Sequence, residues 1–254
     1  MYESPTQPQS IGGVLDDGFK IYRACLKDVF LVCVLGGLIT AIPSSFLATG
    51  IEDPASFSWS GFAVIYLVVM LLSTAVMIPV LMKIAGLVKG QPISWSQAFA
   101  RIISAVIPAL ICLVLYILAV GIGSLLLLVP GIILSISLVL SVYMVIVDGA
   151  GPIDALKQSH NLVWGNWWRT MVIFTVVGII GIVVVMLLST VLILITGVPE
   201  PGESTFVADF VLSPLMTGLI SPLFYAFILA VMNDLKLRKE GGDLEDRITS
   251  LDDD

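Results

Sequence analysis

The chain has 254 residues, of which 58% are hydrophobic and 12% charged, with a mean hydropathy of +1.06 and a formal net charge of −7. Soluble domains carry about twice that share of charge, and so little cannot cover a water-facing surface of this size. An ordinary soluble enzyme and a disordered chain are therefore excluded, and 12 Lys and Arg residues leave no broad basic face for a nucleic acid.

In chain order, residues 1–10 (MYESPTQPQS) read as a polar, flexible N-terminal tail. The tail lacks the basic start, apolar run and small-residue cleavage site of a signal peptide, so the first apolar stretch is expected to be retained. Ile11, Val14, Leu15, Phe19, Tyr22 and Leu26 then recur at helical spacing, with Asp16, Asp17, Lys20, Arg23 and Lys27 on the other face. That pattern predicts an amphipathic helix suited to a membrane interface.

Long charge-free stretches follow at 29–51, 54–82, 102–147, 170–199 and 210–233. About 20 apolar residues in a helix cross the hydrocarbon core of a bilayer. The stretch 102–147 is long enough for two crossings, and Pro130-Gly131 after Leu125–Val129 predicts a tight hairpin there. The expected spans are 29–49, 61–82, 105–129, 132–148, 170–196 and 209–233, in an integral membrane domain over 11–240 with an acidic C-terminal tail at 241–254. The expected fold class is all-α, a polytopic bundle of six transmembrane helices.

The cations sort by parity. Lys20, Arg23 and Lys27 precede the first span; Lys83, Lys89 and Arg101 lie between the second and third. Lys157 and Arg169 lie between the fourth and fifth, and Lys236, Arg238, Lys239 and Arg247 follow the sixth. The loops 50–60 and 197–208 hold acids but no Lys or Arg. By the positive-inside rule both termini are expected in the cytoplasm. Without the hairpin at Pro130, Lys157 and Arg169 would fall on the opposite side.

Two further amphipathic segments are expected on the cytoplasmic side. Ser94 with Gln97 fits a capping box before Phe99 and Ile102. Pro152 suits a helix start; Ile153, Leu156, His160, Val163 and Trp164 form one stripe, and Trp167, Trp168 and Arg169 mark the headgroup level. An amphipathic segment thus precedes each pair of spans, which suggests a threefold repeat of helix-plus-hairpin units.

No pattern of catalytic or metal-binding residues stands out, and no cofactor is expected. His160 lies on or beside an apolar helix face, the three cysteines have no paired spacing, and the spans carry no ionisable side chain at midplane. Ser213, Thr217 and Ser221 recur every four residues beside Gly218, which suits close helix packing. The candidate structural or contact residues of the cytoplasmic face are Asp148, Lys157, Ser159, Trp167, Trp168, Arg169, Asp234 and Arg238. The two aspartates close the fourth and sixth spans, and each is expected to pin neighbouring cations.

Four blocks carry a family resemblance: the leucine run into Val129-Pro130-Gly131; Asp148-Gly149-Ala150-Gly151-Pro152 with Ala155-Leu156-Lys157-Gln158-Ser159; Trp164 through Arg169; and Asp234 through Glu245. Over most of 11–249 the chain resembles bacterial multi-pass proteins carrying the membrane domain found in some glycerophosphoryl diester phosphodiesterases, and related uncharacterised inner-membrane families. The resemblance implies a helical domain of the bacterial cytoplasmic (inner) membrane. It does not imply hydrolysis, because the catalytic barrel has a His-Arg-Gly type motif that this sequence lacks. The expected function is a non-enzymatic scaffold or lipid-associated module, with membrane lipids and another membrane protein as candidate partners. The alternative is a path for a lipid or small amphiphile, lined by Ser135, Ser137, Ser213 or Thr217.

Overall fold

Within lipid every backbone N–H and C=O must be satisfied inside the protein, so uninterrupted apolar sequence folds as helix. The structure, a computed structural model, describes residues 2–52, 58–196 and 208–252, with side chains for 2–41, 58–191, 193–194, 210–239 and 241. In order the helices are α1 (Ile11–Glu52), α2 (Trp59–Val88), α3 (Trp95–Leu126), α4 (Leu128–Ser137), α5 (Ser141–Val147), α6 (Pro152–Val163), α7 (Trp167–Thr196) and α8 (Ser213–Asp252). A π-helical turn, Ala208–Leu212, leads into α8. No strand occurs among the described residues. Six helical stretches are long and apolar enough to cross a membrane: Ile11–Ala41, Trp59–Val88, Trp95–Leu126, Leu128–Val147, Trp167–Val191 and Phe210–Lys239. The chain is an all-α, multi-pass membrane protein.

The central pair is α1 and α8, which run antiparallel at very short range. A β-carbon at Gly218 would stand 2.5 Å from Val34 Cγ2, and one at Gly37 would stand 2.6 Å from Pro214 Cα. At Gly18 it would meet the Phe227 ring at 2.5 Å, and that ring also packs edge-on against Phe19 at 5.1 Å. Small residues at such crossings let helix backbones approach, which is how helices associate in lipid. Thr217, expected as a packing residue, faces Gly37 at this interface.

Burial is concentrated toward one end. Ile21 and Val29 of α1, Leu81 and Ile84 of α2, Ile146 of α5, Ile173 of α7 and Phe227, Leu229 and Leu235 of α8 form a single core. The α3–α4 hairpin tip lies outside it, with Leu125 87% exposed, as suits a lipid-facing surface. The well-packed end is the one that carries the cations.

Several local expectations change. The segments 11–28 and 94–102 are not separate interfacial helices; each is continuous with its span, because neither junction contains a Gly or Pro to interrupt the backbone. The capping box of Ser94 and Gln97 is formed. The third segment, α6, is a separate helix, ended before Gly165, whose φ of 93° needs a residue without a β-carbon. The three units are therefore built differently. The hairpin turns at Leu127, in extended conformation, rather than at Pro130-Gly131. Pro130 sits in the first turn of α4, where its missing N–H costs nothing, and Gly131 lets α4 lie against Ser124.

The fourth span is broken between α4 and α5, which the apolar pattern did not predict. Residues 2–10, expected as a flexible tail, are held against the bundle by hydrogen bonds. The backbone of the expected tail 241–254 continues as helix to Asp252, and residues 253–254 lie outside the described residues. So do 53–57 and 197–207, which hold most of the two acidic loops.

Candidate functional site

Two charge clamps form where cations from separate segments meet one carboxylate. Asp234, only 5% exposed, receives Arg169 Nε and Nη2 on Oδ2 at 3.2 and 3.0 Å, and Arg238 Nε on the same oxygen at 2.9 Å. Its Oδ1 accepts the Gln9 backbone N–H at 2.7 Å. The Gln9 carbonyl in turn accepts Arg169 Nη2 at 2.6 Å and also bonds Arg238 Nη2. The N-terminal segment, α7 and α8 are thus tied at one point. Tyr2 donates to Asp17 Oδ2 at 2.9 Å and Ser4 bonds the Val88 carbonyl, which hold the rest of that segment. Burial and the Asp17 carboxylate push the Tyr2 phenol above its ordinary range.

Asp148 follows α5 at a turn made by Gly149, whose φ is 72°. Its carboxylate meets Lys236 Nζ at 2.7 Å and Lys89 Nζ at 3.5 Å. Each clamp joins two cations to one carboxylate, so each carries one excess positive charge.

The break in the fourth span is closed by α6. Ser159 is fully buried; its Oγ donates to the Ser137 carbonyl at 2.8 Å and accepts the Leu140 N–H at 3.2 Å. Those are the groups a helix break would otherwise leave unpaired in a dry interior. The amphipathic segment therefore packs back along α4 and α5 rather than lying apart from them. The first turn of α7 then bridges two helices: Trp167 Nε1 donates to the Ile133 carbonyl of α4 at 3.2 Å, while Arg169 reaches α8. Trp168, 72% exposed, points outward. A groove of about 560 Å³ runs here, lined by Val129, Ile133, Trp164, Asn166, Trp167, Trp168 and Arg169 with Gly165.

A different space lies inside the span region. A cavity of about 490 Å³ is bordered by Thr40 of α1, Ser73 and Thr74 of α2, Tyr116 of α3, Tyr143 of α5 and Tyr225 of α8. A smaller one of about 150 Å³ shares Thr40, Ser73, Met77 and Tyr225 with it and reaches Thr217 and Ser221. Of the expected path-lining residues only Thr217 borders these cavities.

Six of the eight candidate residues thus enter the clamps, the α6 stitch or the α7 bridge. Trp168 lines the groove, and Lys157 stands exposed on α6 outside both clamps. His160 stacks against Trp164 at 5.0 Å, away from any acid cluster. Among the described residues no group of His, Cys, Asp or Glu is placed to hold a metal. Lys89 and Lys236 were visible in the sequence only as flanking charge, and Gln9 acts through its backbone, which sequence does not distinguish. The cavity residues are ordinary span residues by pattern, so no local signal marks them.

Residues 61–235 match a protein family described as Domain of unknown function (DUF7847). The match covers more than half of the chain, and the chain belongs to that family. No curated protein and no solved structure matches it.

Proposed function

We propose that this member of a family of unknown function is a non-enzymatic, lipid-associated module of the cytoplasmic membrane, with both termini inside the cell. The observation that carries the reading is the groove at the start of α7, which is bordered by three tryptophans, the apolar Val129 and Ile133, and Arg169. Tryptophan favours the boundary between headgroups and acyl chains, and cations near it attract anionic lipid. The clamp behind Arg169 holds one positive charge in excess, so an anionic headgroup meets unbalanced charge there. The grouping of Lys89, Arg169, Lys236 and Arg238 at one end supports the N-in, C-in topology. The resemblance to the membrane domain of glycerophosphoryl diester phosphodiesterases supports the inner membrane as its place.

Mild-detergent extraction followed by native mass spectrometry tests the reading. Wild-type protein reconstituted with equal phosphatidylglycerol and phosphatidylcholine should retain phosphatidylglycerol preferentially, and Trp168→Ala should lose most of that preference. Equal retention of both lipids would overturn it. Topology is tested separately: a reporter active only outside the cytoplasm should stay dark when inserted at residue 160 or fused after 254.

A further inference from the structure

Residues 2–10 cross the cation-bearing end of the bundle as a strap whose contacts reach four helices. Tyr2 bonds Asp17 of α1, and Ser4 bonds the carbonyl of Val88 at the end of α2. Gln9 joins Asp234 and Arg238 of α8 and Arg169 of α7 through its backbone. A space of about 520 Å³ lies between the strap and the ends of α2, α5 and α8, within the range of small-ligand sites. Tyr2, Glu3 and Ser4 border it from the strap; Ala85, Val88, Val147, Leu229 and Met232 border it from the bundle. Ala85, Leu229 and Met232 are each at most 5% exposed.

The strap can leave without disturbing the helices under it. No residue of 2–10 is fully buried, and none is helical. The Asp234 clamp closes without it: Arg169 and Arg238 reach the carboxylate directly, so those ion pairs persist when Gln9 departs. The Val88 carbonyl lies at a helix end, where water can replace Ser4. The neighbouring carbonyls of Ala85, Gly86 and Leu87 are already taken by the loop that follows α2. Release therefore exchanges a few hydrogen bonds for bonds to water, which has a modest cost. Segments with few buried contacts are the ones that open locally at low free energy.

We propose that residues 2–10 are a latched lid. Closed, as in this structure, they wall off the space between α2, α5 and α8; with Gln9 and Tyr2 released, that space opens to the aqueous side. The latch is polar, because it holds the lid by the main chain of Gln9 and the hydroxyls of Tyr2 and Ser4. The lid is separate from the lipid groove, which no residue of the strap borders.

The test is thiol accessibility in full-length protein held in nanodiscs. Met232→Cys places a thiol at a residue bordering the covered space, and the native Cys112, 0% exposed, reports on the packed bundle. A membrane-impermeant maleimide is added, and labelled peptides are quantified by mass spectrometry. With the strap intact, the introduced thiol should react slowly. Gln9→Pro removes the N–H that bonds Asp234 and should speed labelling about tenfold; Tyr2→Phe removes one hydroxyl and should speed it about threefold. Deletion of residues 2–8 should give the fastest reaction, with Cys112 unlabelled throughout. A thiol that reacts as fast with the strap as without it, or no faster in Gln9→Pro, would overturn the lid. Labelling of Cys112 after the deletion would overturn it too, because the strap would then be part of the packing that holds the helices together. Trp168→Ala should leave these rates unchanged while reducing phosphatidylglycerol retention, so lid and groove stand or fail independently.

Discussion

Arg169 and Asp234 lie 65 positions apart in sequence, yet two guanidinium nitrogens of Arg169 share one oxygen of Asp234, at 3.0 and 3.2 Å. The pair fastens the start of α7 to α8. It also captures the Gln9 carbonyl, so the N-terminal segment is held by the same guanidinium.

Removing the carboxylate should be the most damaging change at this end. Asp234→Ala leaves two cations facing each other in a largely dry site, and breaking a buried pair costs about 3–5 kcal/mol. Arg169 is 17% exposed and Arg238 29%, so solvent moderates the loss to about 2–3 kcal/mol. Thermal denaturation in detergent should rank the variants Asp234→Ala, then Arg169→Ala, then Arg238→Ala. Lys89→Ala at the more exposed Asp148 clamp should stay within about 1 kcal/mol and fade in high salt.

Ser159 and Ser137 make a contrasting pair at the helix break. Ser159→Ala unpairs the Leu140 N–H and the Ser137 carbonyl together and should cost about 2–4 kcal/mol. Amide exchange at Leu140 should accelerate with it. Ser137 Oγ is itself buried without a partner, so Ser137→Ala should be neutral or stabilising in the same assay.

Glycine substitutions separate close packing from mere composition. Gly218→Ala places a methyl 2.5 Å from Val34 Cγ2 and should destabilise the α1–α8 pair by about 1–3 kcal/mol. Gly178→Ala, on a helix with nothing within 4 Å of the new methyl, should be neutral or gain up to about 1 kcal/mol. Equal melting temperatures for the two variants would contradict the observed α1–α8 contact.

The two adjacent tryptophans should behave differently. Trp167 bonds α4 through its indole and is partly buried, so Trp167→Ala should lower the melting temperature. Trp168 is exposed, so Trp168→Ala should leave melting unchanged and alter only lipid retention. Neither should change a topology reporter, because flanking cations set orientation.

The all-α class and its six crossings were legible because they follow from local composition: long charge-free apolar runs have one way to satisfy their backbone in lipid. Asp148 and Asp234 were legible as pins, since an acid closing an apolar span beside cations is conspicuous. The identity of their partners was not. Lys89, just past the end of α2, and Arg169, in the first turn of α7, are placed by packing across the bundle. The turn at Leu127 rather than Pro130 follows from where Gly131 can approach Ser124.

What local chemistry decided is which segments enter the membrane and where charge gathers. Tertiary structure alone decided the break at residues 138–140, the strap formed by residues 2–10 and the open cavity in the span region. The reason is that each depends on atoms brought together from distant parts of the chain. Ser159 stabilises a break that no residue at 138–140 encodes, and a cavity is a property of several helices that no single one of them carries.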